Sequence, residues 1–296
     1  MMKICLKLIL LIIFTAALFA GCGSTPAEKK TQEAIPSTLT ILDNLQAQQE
    51  LMLTFAKAYP GKISAVEFLN GDWTMQVNGK RFYFAKGRFL PEELRDKWND
   101  YLPYDFYAYP WTGTAKDRRF AFDNPVYSVG SPFLYDTLYS SPSEEASWEF
   151  QVKYTFFGVK MLINSQIRPL LDKIAERISI ASGTDPSINE WIAELQTNPP
   201  TGWNWRIIAN TNRRSNHSYG IAIDLLPRNL KGRYTYWVWE ASETVDRETY
   251  YMPPDSVIKI FENFGFVWGG NWALIDTMHF EYRPEILILS GLTIER

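Results

Sequence analysis

Two histidines are all that the 296 residues contain, and both stand in short runs of polar and glycine residues. His217 belongs to Ser215-Asn-His-Ser-Tyr-Gly220-Ile-Ala-Ile-Asp224. His279 belongs to Trp268-Gly-Gly-Asn-Trp-Ala-Leu-Ile-Asp276-Thr-Met-His279-Phe-Glu281. If the chain turns at Gly220 and continues extended, Ala222 and Asp224 share one face while Ile221, Ile223 and Leu225 take the other. The Asp224 carboxylate then comes back beside the His217 ring. A carboxylate set among aliphatic residues needs a partner, because an unpaired buried charge is costly, and a cation supplies one. Two imidazoles and one carboxylate are a common catalytic zinc set, with a fourth position left to water. Asp276, three residues before His279, falls close to such an ion without ligating it, where it can take a proton from activated water. Glu281 shares strand parity with His279. It is the rival base, or an acceptor that orients an imidazole.

The elements that must position these groups are partly readable. The spacing predicts a helix over 43–58, with Leu45, Met52, Phe55 and Tyr59 on one face and Pro60-Gly61 as the stop. Asn78-Gly79 between two strand-like runs, 73–84, predicts a hairpin, because both central residues need positive φ. Residues 99–150 are rich in Tyr, Pro and Ser and read as ordered loops. A strand is expected over 154–163, followed by Asn164 as the cap of a helix carrying Ile167, Leu170, Leu171, Ile174 and Ile178. A short helix over 188–195, a buried strand over 205–209, and a helix begun at Asp255 and ended at Gly265 come next. Short strands are expected at 266–268 and 278–282. Helices mixed with short strands, without regular βαβ alternation and without internal repeats, point to α+β.

Ser-x-His-x-x-Gly-x-Ala-x-Asp, a Trp-Gly-Gly segment and Asp-x-x-His-Phe-Glu together resemble the zinc D-Ala-D-Ala carboxypeptidase and L-Ala-D-Glu endopeptidase family, whose fold is shared with the hedgehog signalling domain. The ten-residue motif matches at Ser215, His217, Gly220, Ala222 and Asp224. The resemblance implies zinc on His217, Asp224 and His279, and a small antiparallel sheet with flanking helices, the site on one sheet face. Some branches carry Glu three residues before the last His. Others, phage endolysins among them, carry Asp, and Asp276 is similar to these. It further implies hydrolysis of peptide bonds in peptidoglycan stem peptides, with Asp276 as the base and an arginine holding substrate or polarising its carbonyl. Arg206, Arg213 and Arg214 are candidates, Arg206 preferred; Ser215 and Trp268 are taken as further substrate contacts. The resemblance covers roughly residues 155–290. The insert from Arg228 to Tyr251, with Trp237 and Trp239, separates the ligand segments and reads as a lid or wall of the substrate groove, or equally as a solvated loop. The other reading is a non-catalytic zinc lipoprotein that binds wall peptides.

The N-terminus carries Lys3 and Lys7, then an apolar run from Leu8 to Ala20, too short for the roughly 20 residues that span a bilayer. It closes on Leu18-Phe-Ala-Gly-Cys22, which resembles a bacterial lipobox except for Phe19 where Leu is usual. The expected order is a lipoprotein signal peptide over 1–21, a flexible tether over 22–37, an extension with a helix and hairpin over 38–150 and a zinc peptidase domain over 151–296. Processing would remove Cys5 and leave Cys22 for lipid, so the mature chain would form no internal disulfide. Loss of Lys3 and Lys7, and of no acidic residue, takes the formal net charge from -3 to -5. The expected location is the exported side of a bacterial membrane, held by lipid, with wall peptides as ligands and no protein partner implied. The charge is ordinary and shows no basic character, which argues against a nucleic-acid partner. The 11 Trp and 16 Tyr suit a binding groove and a core equally. Ser256-x-x-Lys259 imitates a serine carboxypeptidase motif, but its Lys-Thr-Gly and Ser-Asp-Asn partners are missing. Neither His has a second His four residues away, which excludes a His-Glu-x-x-His metalloprotease.

Overall fold

A computed structural model describes residues 44–104, 106–112, 129–195, 201–208, 211–236 and 247–295. By its contacts the chain divides after Glu33, and every described residue belongs to the second unit. The signal, the whole tether with Cys22, and Trp237 and Trp239 of the insert lie outside the described residues.

Helix α1 (Leu45–Ala58) starts where the Asn44 side chain accepts from the amides of Gln46 and Ala47. Leu51, Met52, Phe55 and Ala58 form its buried stripe and Tyr59 continues it. Leu45, expected on that stripe, is 54% exposed; it sits in the first turn, before the helix reaches the core, and its carbonyl receives the Trp73 indole N–H. Four strands follow as a meander: β1 (Ile63–Leu69), β2 (Asp72–Val77), β3 (Lys80–Ala85) and β4 (Arg88–Pro91), all antiparallel. Each hairpin turns on two positive-φ residues ending in glycine: Asn70-Gly71, Asn78-Gly79 and Lys86-Gly87. Only the second is among the hairpins expected from the sequence.

Residues 99–150 hold more than loops. Strands β5 (Tyr101–Leu102) and β6 (Val129–Gly130) pair in parallel, and helices α2 (Phe133–Leu138) and α3 (Glu144–Trp148) follow. The strand expected over 154–163 is a hairpin, β7 (Gln151–Phe156) and β8 (Val159–Asn164). Its turn is Phe157-Gly158, with Phe157 at φ 44°, an unusual place for a bulky residue and so a weak signal in sequence. Helix α4 (Arg168–Ala181) begins three residues later than a cap at Asn164 would require. The Asn164 side chain instead donates to the Tyr219 carbonyl and accepts from the Gln166 amide. Pro169 lies in the first turn and causes no kink. Helix α5 (Pro186–Glu194) is capped by Asp185.

Strand β9 (Ala222–Asp224), helix α6 (Asp255–Asn263), strands β10 (Phe266–Trp268) and β11 (His279–Tyr282), and helix α7 (Pro284–Leu289) complete the fold. The sheet order is β10-β11-β9, antiparallel throughout, with Asp224 facing His279 across the ladder. Phe261 of α6 stacks on Phe280 with ring centres 4.2 Å apart, which fixes the back of this sheet. One buried cluster joins α1, β2, β3, α4, α6 and β11. The architecture is the expected α+β arrangement of small antiparallel sheets flanked by helices. The strand expected over 205–209 is absent among its described residues: Ile207 and Ile208 are 59% and 39% exposed. Only Ile207 makes a single bridge, to Arg214, so the apolar residues there turn outward instead of pairing. No helix among the described residues is long and apolar enough to cross a membrane.

Candidate metal centre

His217 sits in a one-turn 3-10 helix, Asn216–Tyr219. Ser215 caps that turn, its hydroxyl accepting from the His217 amide at 3.3 Å. Gly220 ends it at φ 68°, with its amide on the His217 carbonyl. No other residue fits at this position. An added Cβ would lie 2.1 Å from Gln151 Oε1 and 2.7 Å from the Asn164 amide nitrogen, on top of the left-handed strain. The Gly220 carbonyl accepts from the Asn164 amide, and Ser147 Oγ donates to the Ser218 carbonyl. The histidine turn is thus fastened to β8 and α3 before β9 begins.

Across the ladder, the second segment closes on itself. Asp276 donates its amide to the Gly269 carbonyl at 3.0 Å, and the His279 amide reaches the Asp276 carbonyl at 3.3 Å. Gly269 is needed for this approach, because a Cβ there would lie 2.4 Å from the Asp276 carbonyl oxygen. The insert contributes too: Tyr236 bridges to Asp276, and Thr277 donates its amide to the Thr235 carbonyl.

His217, Asp224 and His279 converge. Asp224 Oδ1 is 3.3 Å from His217 Nε2 and 3.0 Å from His279 Nδ1, and the two nitrogens are 3.3 Å apart. A tetrahedral ion with ligand bonds of about 2.0–2.1 Å has edges of about 3.3 Å, so these three atoms span one face of such a tetrahedron. The opposite ring nitrogens are already occupied. His217 Nδ1 lies 2.7 Å from the Gly202 carbonyl, and His279 Nε2 lies 3.1 Å from Glu281 Oε2. Acceptors behind both rings keep protons on those nitrogens and turn the lone pairs of His217 Nε2 and His279 Nδ1 toward Asp224. Gly202 is itself wedged against β8, where a Cβ would meet the Leu162 carbonyl oxygen at 2.1 Å.

The charges are shaped by the same contacts. Burial works against the Asp224 carboxylate, but His217 and His279 outweigh it and hold its pKa well below the usual range. Burial likewise opposes a charged His279, yet its hydrogen bonds to Asp224 and Glu281 raise its pKa to about 10. Burial would raise Glu281; its bond to His279, with Arg283 adding, brings it down instead. Glu281, bonded to His279, Asn216 and Arg283, has its oxygens engaged as an anchor for the imidazole. Asp276 behaves in the opposite way. Burial raises its pKa to about 7, with Asp224 adding and His279 and Arg206 offsetting part. Its Oδ1 is buried with no hydrogen-bond partner.

The expected substrate contacts fare unequally. Arg206 is exposed, and its charge is felt at Asp276. Arg214 is committed elsewhere, paired with Asp136 and stacked on Trp205 and Tyr219. Ser215 is buried to 3% exposure, and its hydroxyl caps the histidine turn. Trp268 is buried to 1% exposure, with its indole N–H on the Thr277 carbonyl, and packs the sheet. Sequence reasoning misses Trp272, whose ring centre is 5.2 Å from that of His279 and whose buried indole N–H has no partner. It also misses Asn216, which donates to Glu281 at 2.8 Å, and the Gly202 carbonyl. Trp272 and Asn216 stand inside the two motif segments, but nothing in the spacing marks them.

Residues 209–282 match a family model described as D-alanyl-D-alanine carboxypeptidase. That span includes His217, Asp224, Asp276, His279 and Glu281, and it supports the broad resemblance read from the motif. Residues 52–106 match a second model, a domain of unknown function. The comparison with curated proteins gives no match, and neither does the comparison with solved structures.

Proposed function

We propose that this chain is a zinc-dependent peptidase that hydrolyses peptide bonds in peptidoglycan stem peptides, as a D-Ala-D-Ala carboxypeptidase or an L-Ala-D-Glu type endopeptidase. The observation that carries the reading is the convergent face of His217 Nε2, Asp224 Oδ1 and His279 Nδ1, each imidazole turned by an acceptor behind it. The family match over the same residues supports it. These three side chains would hold the ion. A zinc ion in such a set lowers the pKa of water toward neutrality and polarises a carbonyl.

The chain's own groups do the rest. Asp276 is the proton carrier: its buried, unpartnered Oδ1 accepts a proton during attack and returns it to the leaving amine. Raised toward neutrality, its affinity for the proton suits a group that must both take and give one. Glu281 orients His279, and Asn216 orients Glu281. Arg206 is the cationic group available to the substrate, for its carboxylate or for charge developing on the carbonyl oxygen. Trp272 offers an aromatic wall beside His279. The Cys22 segment would anchor the protein by lipid on the exported side of a bacterial membrane, where its substrate is.

The test is digestion of purified muropeptides by the purified protein, with and without a chelator, read by mass spectrometry. Chelator-sensitive release of D-alanine, or of a fragment cut after L-alanine, is the expected result and names the bond. Zinc binding with intact muropeptides would favour the binding protein over the peptidase.

A further inference from the structure

Behind His279 runs a chain of buried polar groups that leaves the matched peptidase segment and ends in the N-terminal region. Glu281 bonds His279 Nε2 through Oε2 and faces Arg283 Nη1 through Oε1 at 3.4 Å. Arg283 Nε donates to Glu285 Oε1. Glu285 is 0% exposed and takes three tyrosine hydroxyls: Tyr59 at 2.7 Å on Oε2, and Tyr104 at 3.0 Å and Tyr135 at 3.2 Å on Oε1. Tyr104 also accepts from Arg283 Nη2, and its hydroxyl oxygen lies 2.8 Å from that of Tyr135. Glu285 shares its one charged donor, Arg283, with Glu281, and a buried carboxylate short of donors is costly. The tyrosines supply the missing donors. Burial first, and Glu285 next or close behind, push all three phenols well above their ordinary pKa, so they keep their protons.

We propose that the N-terminal region is a positioning element for the metal centre, in which Tyr59, Tyr104 and Tyr135 fix Glu285, Glu285 fixes Arg283, and Arg283 fixes the Glu281 carboxylate that orients His279. Tyr59 and Tyr104 both lie in the segment matching a domain of unknown function, and this assigns that segment a task. The inference rests on the zinc reading of the site. Among the described residues none of the three tyrosines bonds the three ligands, and the hydrogen-bonded route from them to His279 runs through Glu285, Arg283 and Glu281.

The experiment measures zinc affinity by competition with a chromophoric chelator, and the visible spectrum of the cobalt-substituted protein, on the full chain and its variants. Tyr59→Phe combined with Tyr104→Phe should weaken zinc by about 10-fold or more and shift the cobalt bands, as loss of groups behind a ligand does. Tyr251→Phe is the control: it removes a buried hydroxyl bonded to Trp191, outside this chain of contacts, and should leave both readouts unchanged. If the double variant fails to fold, Glu285→Gln, which keeps the shape and weakens the hold on Arg283, should show the same two changes. Zinc affinity and cobalt spectrum equal to the unmodified protein would overturn the positioning role while leaving the zinc reading intact. An unmodified protein that binds no zinc would sink the zinc reading and this inference with it.

Discussion

The two larger sheets of this molecule are built on opposite principles. The four-stranded meander β1–β4 is assembled from neighbours in the chain, each pair closed by a two-residue turn, and none of the candidate ligating or catalytic groups lies on it. The three-stranded sheet takes residues 222–224, 266–268 and 279–282, each strand three or four residues long. Such short strands carry few ladder bonds, and the β11–β9 pairing closes the long stretch between Asp224 and His279 at an entropic cost. They hold because other contacts fix them: Phe261 behind Phe280, Gly202 and Gly220 jammed against the β7–β8 hairpin, and the Glu281–Arg283–Glu285 chain. The difference teaches where chemistry can be placed. A sheet whose position depends on its surroundings can bring distant side chains together, whereas a local meander mainly supports itself.

The sharpest way to separate the two regions is through Asp276. Asp276→Ala should retain zinc and lose about 10²–10⁴-fold in kcat on muropeptides, with the meander nearly untouched. Full activity in that variant would return the role of base to Glu281. A second consequence concerns pH. In the metal-free protein the Asp276 pKa is raised by burial to about 7, so the proton is bound more tightly folded than unfolded. Its contribution is full below the ordinary value of 3.8 and is lost as pH rises through about 7. Urea titrations from pH 4 to 8 should show Asp276→Asn lacking a decline of up to roughly 4 kcal/mol that the unmodified metal-free chain suffers.

The glycines give a matched pair. Gly220→Ala combines left-handed strain with collisions on Gln151 and the Asn164 backbone, and should cost about 2–3 kcal/mol and weaken zinc. Gly79→Ala in the meander has the same sign of φ but open space around the new Cβ. It should cost about 1 kcal/mol in thermal unfolding and leave zinc affinity unchanged. Equal effects on zinc from both would erase the distinction between the regions.

The same contrast governs what is legible in the sequence. Asn78-Gly79 discloses its hairpin because the signal is local, and Asn70-Gly71 carries the same one. That His217, Asp224 and His279 come together is legible because both rare histidines stand in short polar and glycine-rich runs, with Asp224 alternating among aliphatic residues. What escapes is non-local or locally misleading. Phe157-Gly158 makes a turn whose first position disfavours a bulky residue such as Phe157, so β7 and β8 read as one strand. Asn164 resembles a helix cap but serves Tyr219, and Ser215 resembles a substrate contact but caps the histidine turn. The tyrosines that hold Glu285 lie 150–226 residues from it in sequence, beyond any spacing rule.

Whether a zinc ion sits on His217, Asp224 and His279 is decided by metal analysis with zinc X-ray absorption on the unmodified protein and on His217→Ala. About one zinc per chain is expected, in a nitrogen and oxygen shell containing two imidazoles, with loss of that zinc in the variant. An unmodified protein without zinc, or a His217→Ala variant that binds it equally well, would rule these residues out as the zinc centre.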